Sequence, residues 1–314
     1  MTADIRIVDA GGPHEKVTVE FMRRQGCFEG MGITAHKTYV TNGAAAVEKL
    51  LSGDCDVAMQ VGFGPAVVAI SKGAPLRVIA ASNLLTVHAV YSREPDIRCL
   101  ADLEGKTVGV GRLGALTHQL LYAALLKSHV DPARVHFASI GSSATVFQAL
   151  LAGEVDAGFG ETEVFEHQDQ YGVHALEDGV LWERLPEFPN QASFATENAL
   201  HDNRDVLVRT LAAHALLYRA LHHPDSWAAY REAWTAALPQ STLDEGRTQW
   251  QFYQRYHPFA EDLLLSQARF DYMQDLNITM QLQERALSYA EAADMSLAHD
   301  ALRLLDDQSK STSE

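Results

Sequence analysis

Two segments of this chain, a hundred positions apart, carry the same nine-residue pattern. Residues 50–58 read LLSGDCDVA, and residues 150–158 read LLAGEVDAG. Each segment predicts the last turn of a helix, a glycine stop, an acidic corner and the start of a buried strand. An apolar strand, a Gly-bearing loop and an amphipathic helix precede both copies. Two halves built to one plan predict two similar α/β lobes, with a cleft between them that can hold a small ligand.

The order of predicted strands and helices indicates how the lobes are organised. Strands alternate with helices from residue 4 to 83 and again from 106 to about 173, which is typical of mainly parallel sheets covered by helices. A strand at 193–195 is expected to cross back, and the helices after residue 205 are expected to pack on the first lobe. We predict a first lobe of residues 1–88 and 190–300, a second lobe of residues 89–189, and a flexible tail of residues 301–314.

Charge and cysteine content exclude several classes of function. The formal net charge of −16 argues against a nucleic-acid backbone or an anionic membrane surface as the main partner. Three cysteines without regular spacing provide neither a disulfide framework nor a zinc site, and His222-His223 has no third ligand nearby. No run of about 18 apolar residues predicts a membrane span. We therefore predict no metal, no cofactor and no membrane-spanning segment.

Several short motifs carry a family resemblance. In the second half these are LEGKTVGV at 103–110, Leu113-Gly114, and GEVDA at 153–157; in the first half they are GCFE at 26–29 and GAPLRVIA at 73–80. In order and spacing the chain resembles the solute-binding proteins that serve nitrate, taurine and alkanesulfonate transporters, the SsuA/THI5-like group. The resemblance implies a type II periplasmic-binding-protein fold, capture of a small ligand, and a transporter permease as a possible partner.

The loops after the predicted strands supply the candidate ligand contacts. Ligands of open parallel sheets bind beyond the carboxyl ends of the strands, and helix N-termini there favour anionic groups such as sulfonate or carboxylate. The same glycines and serines also serve as ordinary caps and turns. The candidate ligand-binding residues are His14, Asn42, Gln60, Phe63, Leu113, Gly114, Thr117, Ser142, Glu161 and Glu163.

Glu161 and Glu163 discriminate most between ligands. They follow the strand at 157–160, where the resemblance implies an acidic or aromatic group beside the ligand. Two carboxylates there would repel a dianion and could pair with an amine, an amidine or a protonated ring nitrogen, unless both face solvent. His14 could donate a hydrogen bond to the ligand, and Phe63 could stack on it or pack in the core.

The sequence leaves the class of function open between binding and catalysis. Our first hypothesis is a binding protein without catalytic residues, for a small organic anion or zwitterion such as a sulfonate, a carboxylate or a nitrogen heterocycle. The alternative is a cytoplasmic enzyme on the same scaffold, of the decarboxylase, desulfinase or thiamine-pyrimidine-pathway type, that acts on a small aromatic or heterocyclic substrate. For a decarboxylase, His14 and Glu161 could serve as acid and base. A cytoplasmic ligand sensor is a third possibility. We expect a cytoplasmic protein if Met1 is the native start, and a periplasmic or extracytoplasmic one if a signal peptide was removed.

Overall fold

The computed structural model of this protein describes residues 2–311, whose ten strands form two five-stranded sheets. The strands are β1 (Ala3–Ala10), β2 (Ile33–Val40), β3 (Val57–Val61), β4 (Leu76–Ala81), β5 (Ala89–Ser92), β6 (Thr107–Val110), β7 (His136–Ser139), β8 (Ala157–Gly160), β9 (His174–Val180) and β10 (Ala192–Thr196). One sheet has the order β2-β1-β3-β10-β4 and the other β7-β6-β8-β5-β9. The first sheet is the centre of lobe 1 and the second the centre of lobe 2.

Helices cover both sheets and make up most of the chain after β10. Those before β10 are α1 (Pro13–Arg24), α2 (Cys27–Gly30), α3 (Gly43–Leu51), α4 (Gly64–Ser71), α5 (Leu116–Lys127), α6 (Ser143–Ala152), α7 (Thr162–Glu166), α8 (Gln168–Tyr171) and α9 (Leu181–Arg184). Those after it are α10 (Glu197–Asp202), α11 (Arg204–His222), α12 (Trp227–Ala237), α13 (Leu243–Tyr256), α14 (Gln267–Thr279), α15 (Tyr289–Ala292) and α16 (Ser296–Ser311). None of the described helices is long and apolar enough to cross a membrane.

The repeated nine-residue pattern makes the same structural joint in each lobe. Gly53 and Gly153 both follow a helix in the left-handed region, at φ of 77° and 74°, where glycine is favoured because it has no Cβ. The acidic residue just before the next strand then accepts a hydrogen bond from the neighbouring strand. Asp56 accepts from the Arg6 N–H at 2.8 Å, and Asp156 accepts from the Thr107 N–H at 2.7 Å. The repeat therefore fixes where β3 and β8 join their sheets.

The two-lobed α/β fold is confirmed, with one returning strand in each sheet. β1 pairs in parallel with β2 and β3, and β6 does so with β7 and β8. β10 runs antiparallel between β3 and β4, and β5 runs antiparallel between β8 and β9. Four strands of each sheet thus point the same way, and their carboxyl ends face the space between the lobes.

The helices after β10 reach both lobes. α12 packs on α1 and α16 on α11 and β4, on the side of lobe 1. However, α13 also contacts α7, and α14 contacts both α4 and α5, so the prediction that this region packs on the first lobe is incomplete. In α14 the buried Asn277 accepts a hydrogen bond from the Gln119 amide at 2.6 Å and donates one to the Gly64 carbonyl at 3.2 Å. One side chain of α14 therefore connects the two lobes.

The prediction of a flexible tail from residue 301 is wrong as far as the structure describes it. Residues 301–311 continue α16, and Ala301 and Leu305 are buried. The polar composition of this segment belongs to the exposed face of an amphipathic helix, whose apolar residues pack inward. Residues 312–314 of the predicted tail lie outside the described residues.

Candidate functional site

A cavity of about 350 Å³ lies between the carboxyl ends of the two sheets. This volume lies within the range of small-molecule sites. Lobe 1 contributes the loops that lead into α1, α3 and α4, and lobe 2 contributes those that lead into α5, α6 and α7. Of the ten candidate residues, the cavity is lined by six: His14, Asn42, Gln60, Thr117, Ser142 and Glu161.

Asn42, Ser142 and Thr117 hold the cavity loops in place. The Asn42 side chain accepts a hydrogen bond from the Ala45 N–H at the start of α3, and Ser142 does the same for Thr145 at the start of α6. The buried Thr117 hydroxyl accepts from the Gly111 N–H at 2.8 Å. These oxygens already satisfy backbone donors, so a ligand would contact what remains of their surface and the free N–H groups of the helix starts.

Gln60 differs because its side chain is buried without a partner for its amide nitrogen. It is the penultimate residue of the buried strand β3, and its φ of 50° lies in the left-handed region that disfavours residues other than glycine. Among the described residues its Nε2 makes no hydrogen bond. Backbone strain and an unsatisfied buried donor on a cavity wall are both costly, and a ligand oxygen would offset part of that cost.

His14 connects the lobes at one end of the cavity. It belongs to α1 of lobe 1, and its ring lies between two carboxylates of lobe 2: Nδ1 is 3.1 Å from Glu161 Oε2, and Nε2 is 3.6 Å from Glu163 Oε2. Burial lowers the pKa of His14, but the negative charges of Glu161 and Glu163 raise it by more, so that it lies above its ordinary value. This arrangement favours an imidazolium with one carboxylate at each nitrogen.

Burial raises the pKa of Glu161 to about 7, and the His14 charge opposes that rise. The Glu161 side chain is 18% exposed and lines the cavity, whereas Glu163 is close to His14 but does not line it. Because the two groups interact strongly, the protonation of His14 and that of Glu161 depend on each other. Such a pair can hold or release one proton in response to a ligand.

His88 lies beside this pair and was not among the candidates. Its Nε2 is 2.9 Å from the Ser143 hydroxyl and 3.8 Å from Glu161 Oε1, while its Nδ1 is 2.7 Å from the Thr86 hydroxyl. Burial and, to a smaller extent, the nearby His14 charge lower the pKa of His88 to about 4, so His88 is neutral at pH 7. It therefore adds hydrogen-bonding capacity to this end of the cavity and no charge.

The structure places three candidates away from the cavity. Phe63 is fully buried in the hydrophobic core, where its ring gains more from apolar contact than it would at a wet site. Leu113 is 53% exposed and lies with His118 on an outer surface of lobe 2. Gly114 turns at φ of 79° against Leu282. The loop between β6 and α5 thus approaches the cavity through other residues.

Several residues that line the cavity were missed by sequence reasoning. Arg112 belongs to a loop that was recognised as facing the cleft, and Glu15 adjoins His14, so their positions were available as signals. Lys16 and Ser143 lie in the first turns of α1 and α6, close to candidate residues, whereas the others come from the crossing segments and from α13, which no local motif marks. The missed lining residues with polar side chains include Glu15, Lys16, Asn83, His88, Arg112, Ser143, Asn190, Gln191 and Tyr253.

Two groups of described side chains have the composition of a metal site. In the first, one ligand atom each of His14, Glu161 and Glu163 lie within 4.8 Å of one another, and the two carboxylates make their nearest contacts with different nitrogens of the ring. In the second, His222 has both nitrogens engaged: Nδ1 with Glu261 Oε1 at 2.6 Å, and Nε2 as acceptor of the Phe259 N–H at 3.3 Å. An ion at the second group would therefore have to replace one of the two hydrogen bonds of His222.

The sequence matches the NMT1/THI5-like family model over residues 22–226, well over half of the chain. The chain belongs to the NMT1/THI5-like family. The match spans β2 to β10 and includes the loops of both lobes that approach the cavity, apart from the first. A comparison with curated protein sequences finds no match.

Solved structures with the same fold include binding proteins and an enzyme. The alkanesulfonate-binding protein SsuA from Xanthomonas axonopodis pv. citri, bound to MOPS, has a TM-score of 0.75 at 16% identity, over 93% of this chain and 98% of that one. Periplasmic SsuA from Escherichia coli has a TM-score of 0.73 at 17% identity, over 95% of this chain and 100% of that one. A variant of the desulfurization enzyme DszB, in complex with biphenyl-2-sulfinic acid, has a TM-score of 0.64 at 18% identity, over 96% of this chain and 99% of that one. At these identities the likeness shows the fold.

The three cysteines lie outside the cavity. Cys27 and Cys55 are buried, and Cys99 is partly exposed at the start of a short turn of lobe 2. Burial raises the pKa of Cys27 to about 11, which leaves it a thiol at neutral pH. No cysteine is therefore placed as a nucleophile for a ligand in the cavity.

Proposed function

We propose that this protein captures a small organic anion or zwitterion between its two lobes, as a solute-binding protein of the transporter type, without transforming it. The observation that carries the proposal is the interlobe cavity, whose walls come from both sheets and expose Gln60, Glu161 and Arg112 to one bound molecule. Membership of the NMT1/THI5-like family and the sulfonate-binding structures with the same fold support capture of an organic acid.

The proposal includes a partner and a location. A transporter binding protein delivers its ligand to a permease and so works outside the inner membrane. Cell fractionation of the native gene product tests this part directly, because recovery with cytoplasmic markers would overturn the transporter role and leave ligand capture to be explained in another way.

Binding is tested by a thermal-shift screen of the purified chain against sulfonates, carboxylates, amino acids and nitrogen heterocycles. A ligand at about 100 times its Kd stabilises the folded state by about 2.7 kcal/mol. Ala144→Trp should remove the response, because Ala144 is an exposed residue of α6 that lines the cavity. Gln148→Trp, one turn further along α6 and also exposed, should keep it. Equal responses from both variants would place the binding elsewhere.

A second candidate function is supported by the His14–Glu161 pair. A carboxyl group with a pKa of about 7, beside a cavity and in contact with a buried histidine, has the properties of a general acid or base. On this reading the protein would be an enzyme on the same scaffold that moves a proton on a small substrate, for example in a decarboxylation. The cysteine positions disfavour a desulfinase mechanism that uses a thiolate. Recovery of a transformed ligand would favour the enzyme over the binding protein.

A further inference from the structure

Two opposite charges in the cavity lie at the ends of neighbouring strands. Glu161 directly follows β8, and Arg112 comes two residues after β6. These strands are parallel neighbours in the sheet of lobe 2, with Val108 opposite Ala157, so their carboxyl ends are about 5 Å apart. Both residues line the cavity. The two charged side chains therefore approach the same bound molecule from adjacent positions.

Arg112 and Glu161 do not pair with each other. In the part of the chain that the structure describes, Arg112 makes no ion pair and its guanidinium makes no hydrogen bond to the protein. An exposed guanidinium on a cavity wall can form a two-point hydrogen bond with a carboxylate or sulfonate. The Arg112 guanidinium is therefore available to bind the carboxylate or sulfonate of a ligand.

Glu161 has an excess of negative charge around it. A single imidazolium, that of His14, faces both Glu161 and Glu163. The negative charges of Glu15 and Glu245 also act on His14. Among the described residues Glu161 Oε1 makes no hydrogen bond, and the neutral His88 ring lies 3.8 Å from it, beyond hydrogen-bond distance. This carboxylate oxygen can accept a charge-assisted hydrogen bond from a cationic nitrogen.

We propose that the ligand is a zwitterion whose protonated amine binds Glu161 and whose carboxylate or sulfonate binds Arg112. The assignment rests on the proposed function and narrows its ligand class. Glu161 Oε2 faces His14, so an acid without an amine would leave only Glu161 Oε1 desolvated without a donor when the cavity is filled, which is unfavourable. A simple amine would leave Arg112 and the buried Gln60 amide without an acceptor. A zwitterion satisfies both ends.

The test measures affinity by calorimetry for matched compounds with two to six carbons. Each set contains an ω-amino acid, the same acid without the amine, and the same amine without the acid; a second series replaces carboxylate by sulfonate. We expect the best amino acid or aminosulfonate to bind at least ten times more tightly than either of its single-charge analogues.

Two variants assign the ends of the ligand. Glu161→Gln should remove the preference for the amine and leave the affinity for the parent acid within about threefold, whereas Arg112→Gln should weaken both acids by about tenfold or more. Glu166→Gln, an exposed residue of the same segment that does not line the cavity, should change neither.

The outcomes separate this inference from the proposed function. If the parent acids bind as tightly as their aminated forms, in the wild type and in Glu161→Gln alike, the zwitterion assignment is overturned while capture of an organic acid stands. If no compound of either series binds, the assignment is also overturned. The broad thermal-shift screen with Ala144→Trp then decides independently whether the cavity binds any small molecule.

Discussion

Glu161→Gln is predicted to change how the stability of the unliganded protein depends on pH. Burial raises the pKa of Glu161 to about 7 in the folded protein, against an ordinary value of 4.5. A group with a higher pKa in the folded than in the unfolded state binds more protons when folded, so the free energy of unfolding falls as pH rises between the two values. His14 acts in the same direction, because its stabilisation is present below its ordinary pKa of 6.5 and is lost as pH rises through its raised folded value.

The magnitude follows from the two values for Glu161. One pKa unit corresponds to about 1.4 kcal/mol, so the difference between 4.5 and about 7 amounts to about 3 kcal/mol. A glutamine at this position does not titrate and keeps nearly the same shape. We therefore expect the free energy of unfolding of the variant, relative to the wild type, to rise by about 3 kcal/mol between pH 4.5 and pH 8.

The assay is urea denaturation followed by circular dichroism, in steps of pH at constant ionic strength and without ligand. Glu166→Gln is the matched control, because it removes an exposed carboxylate from the same segment and leaves the His14–Glu161 contact in place. A Glu161→Gln difference that stays constant within about 0.5 kcal/mol, or that falls with pH, would refute the description of Glu161 as a buried carboxyl coupled to His14.

Three further predictions concern stability. Thr117→Val should cost about 1 to 3 kcal/mol in urea denaturation, because the buried Gly111 N–H loses its acceptor; a smaller loss would mean that the cavity loop rearranges to satisfy it. Asn277→Ala should cost about 1 to 3 kcal/mol or more, because it unpairs buried groups of both lobes, and a loss below 0.5 kcal/mol would show that α14 does not connect them. Leu305→Ala should cost about 2 to 4 kcal/mol, whereas the exposed Asp306→Ala should cost little; equal effects would contradict the packing of α16.

Much of the fold was predictable because it depends on local patterns that occur twice. Gly53 and Gly153 need the left-handed conformation, and Asp56 and Asp156 bond to the next strand, so the same letters mark the same joint. The insertion of β10 between β3 and β4 was not predictable in detail. It depends on pairing with residues more than a hundred positions away, which no local period records.

The candidate site was predictable at the level of loops and less so at the level of side chains. Strand ends identified the loops of His14, Gln60 and Glu161, because the carboxyl ends of parallel strands meet at one edge. Which side chain of a loop faces the cavity depends on packing: in the loop before α5, Arg112 lines it and Leu113 does not. His88 was missed because it lies in a crossing segment without a motif of its own.

The reach of α13 and α14 to lobe 2 also escaped prediction. Both helices show an ordinary pattern of apolar and polar residues, which indicates that a helix has a buried face and does not indicate which lobe covers it. The contacts of Asn277 with Gln119 and Gly64 are single polar pairs between distant parts of the chain. Such pairs leave no periodic signal in a single sequence.

The measurement that tests the central claim most directly is mass spectrometry of a ligand after overnight incubation with the protein. The ligand is the best compound of the thermal-shift screen, and Ala144→Trp serves as the control that cannot bind it. We predict that the wild type retains one equivalent of the compound through buffer exchange and releases it chemically intact. Recovery of a transformed product with the wild type and not with Ala144→Trp would contradict capture without chemistry and would make His14 and Glu161 the first residues to assign a catalytic role.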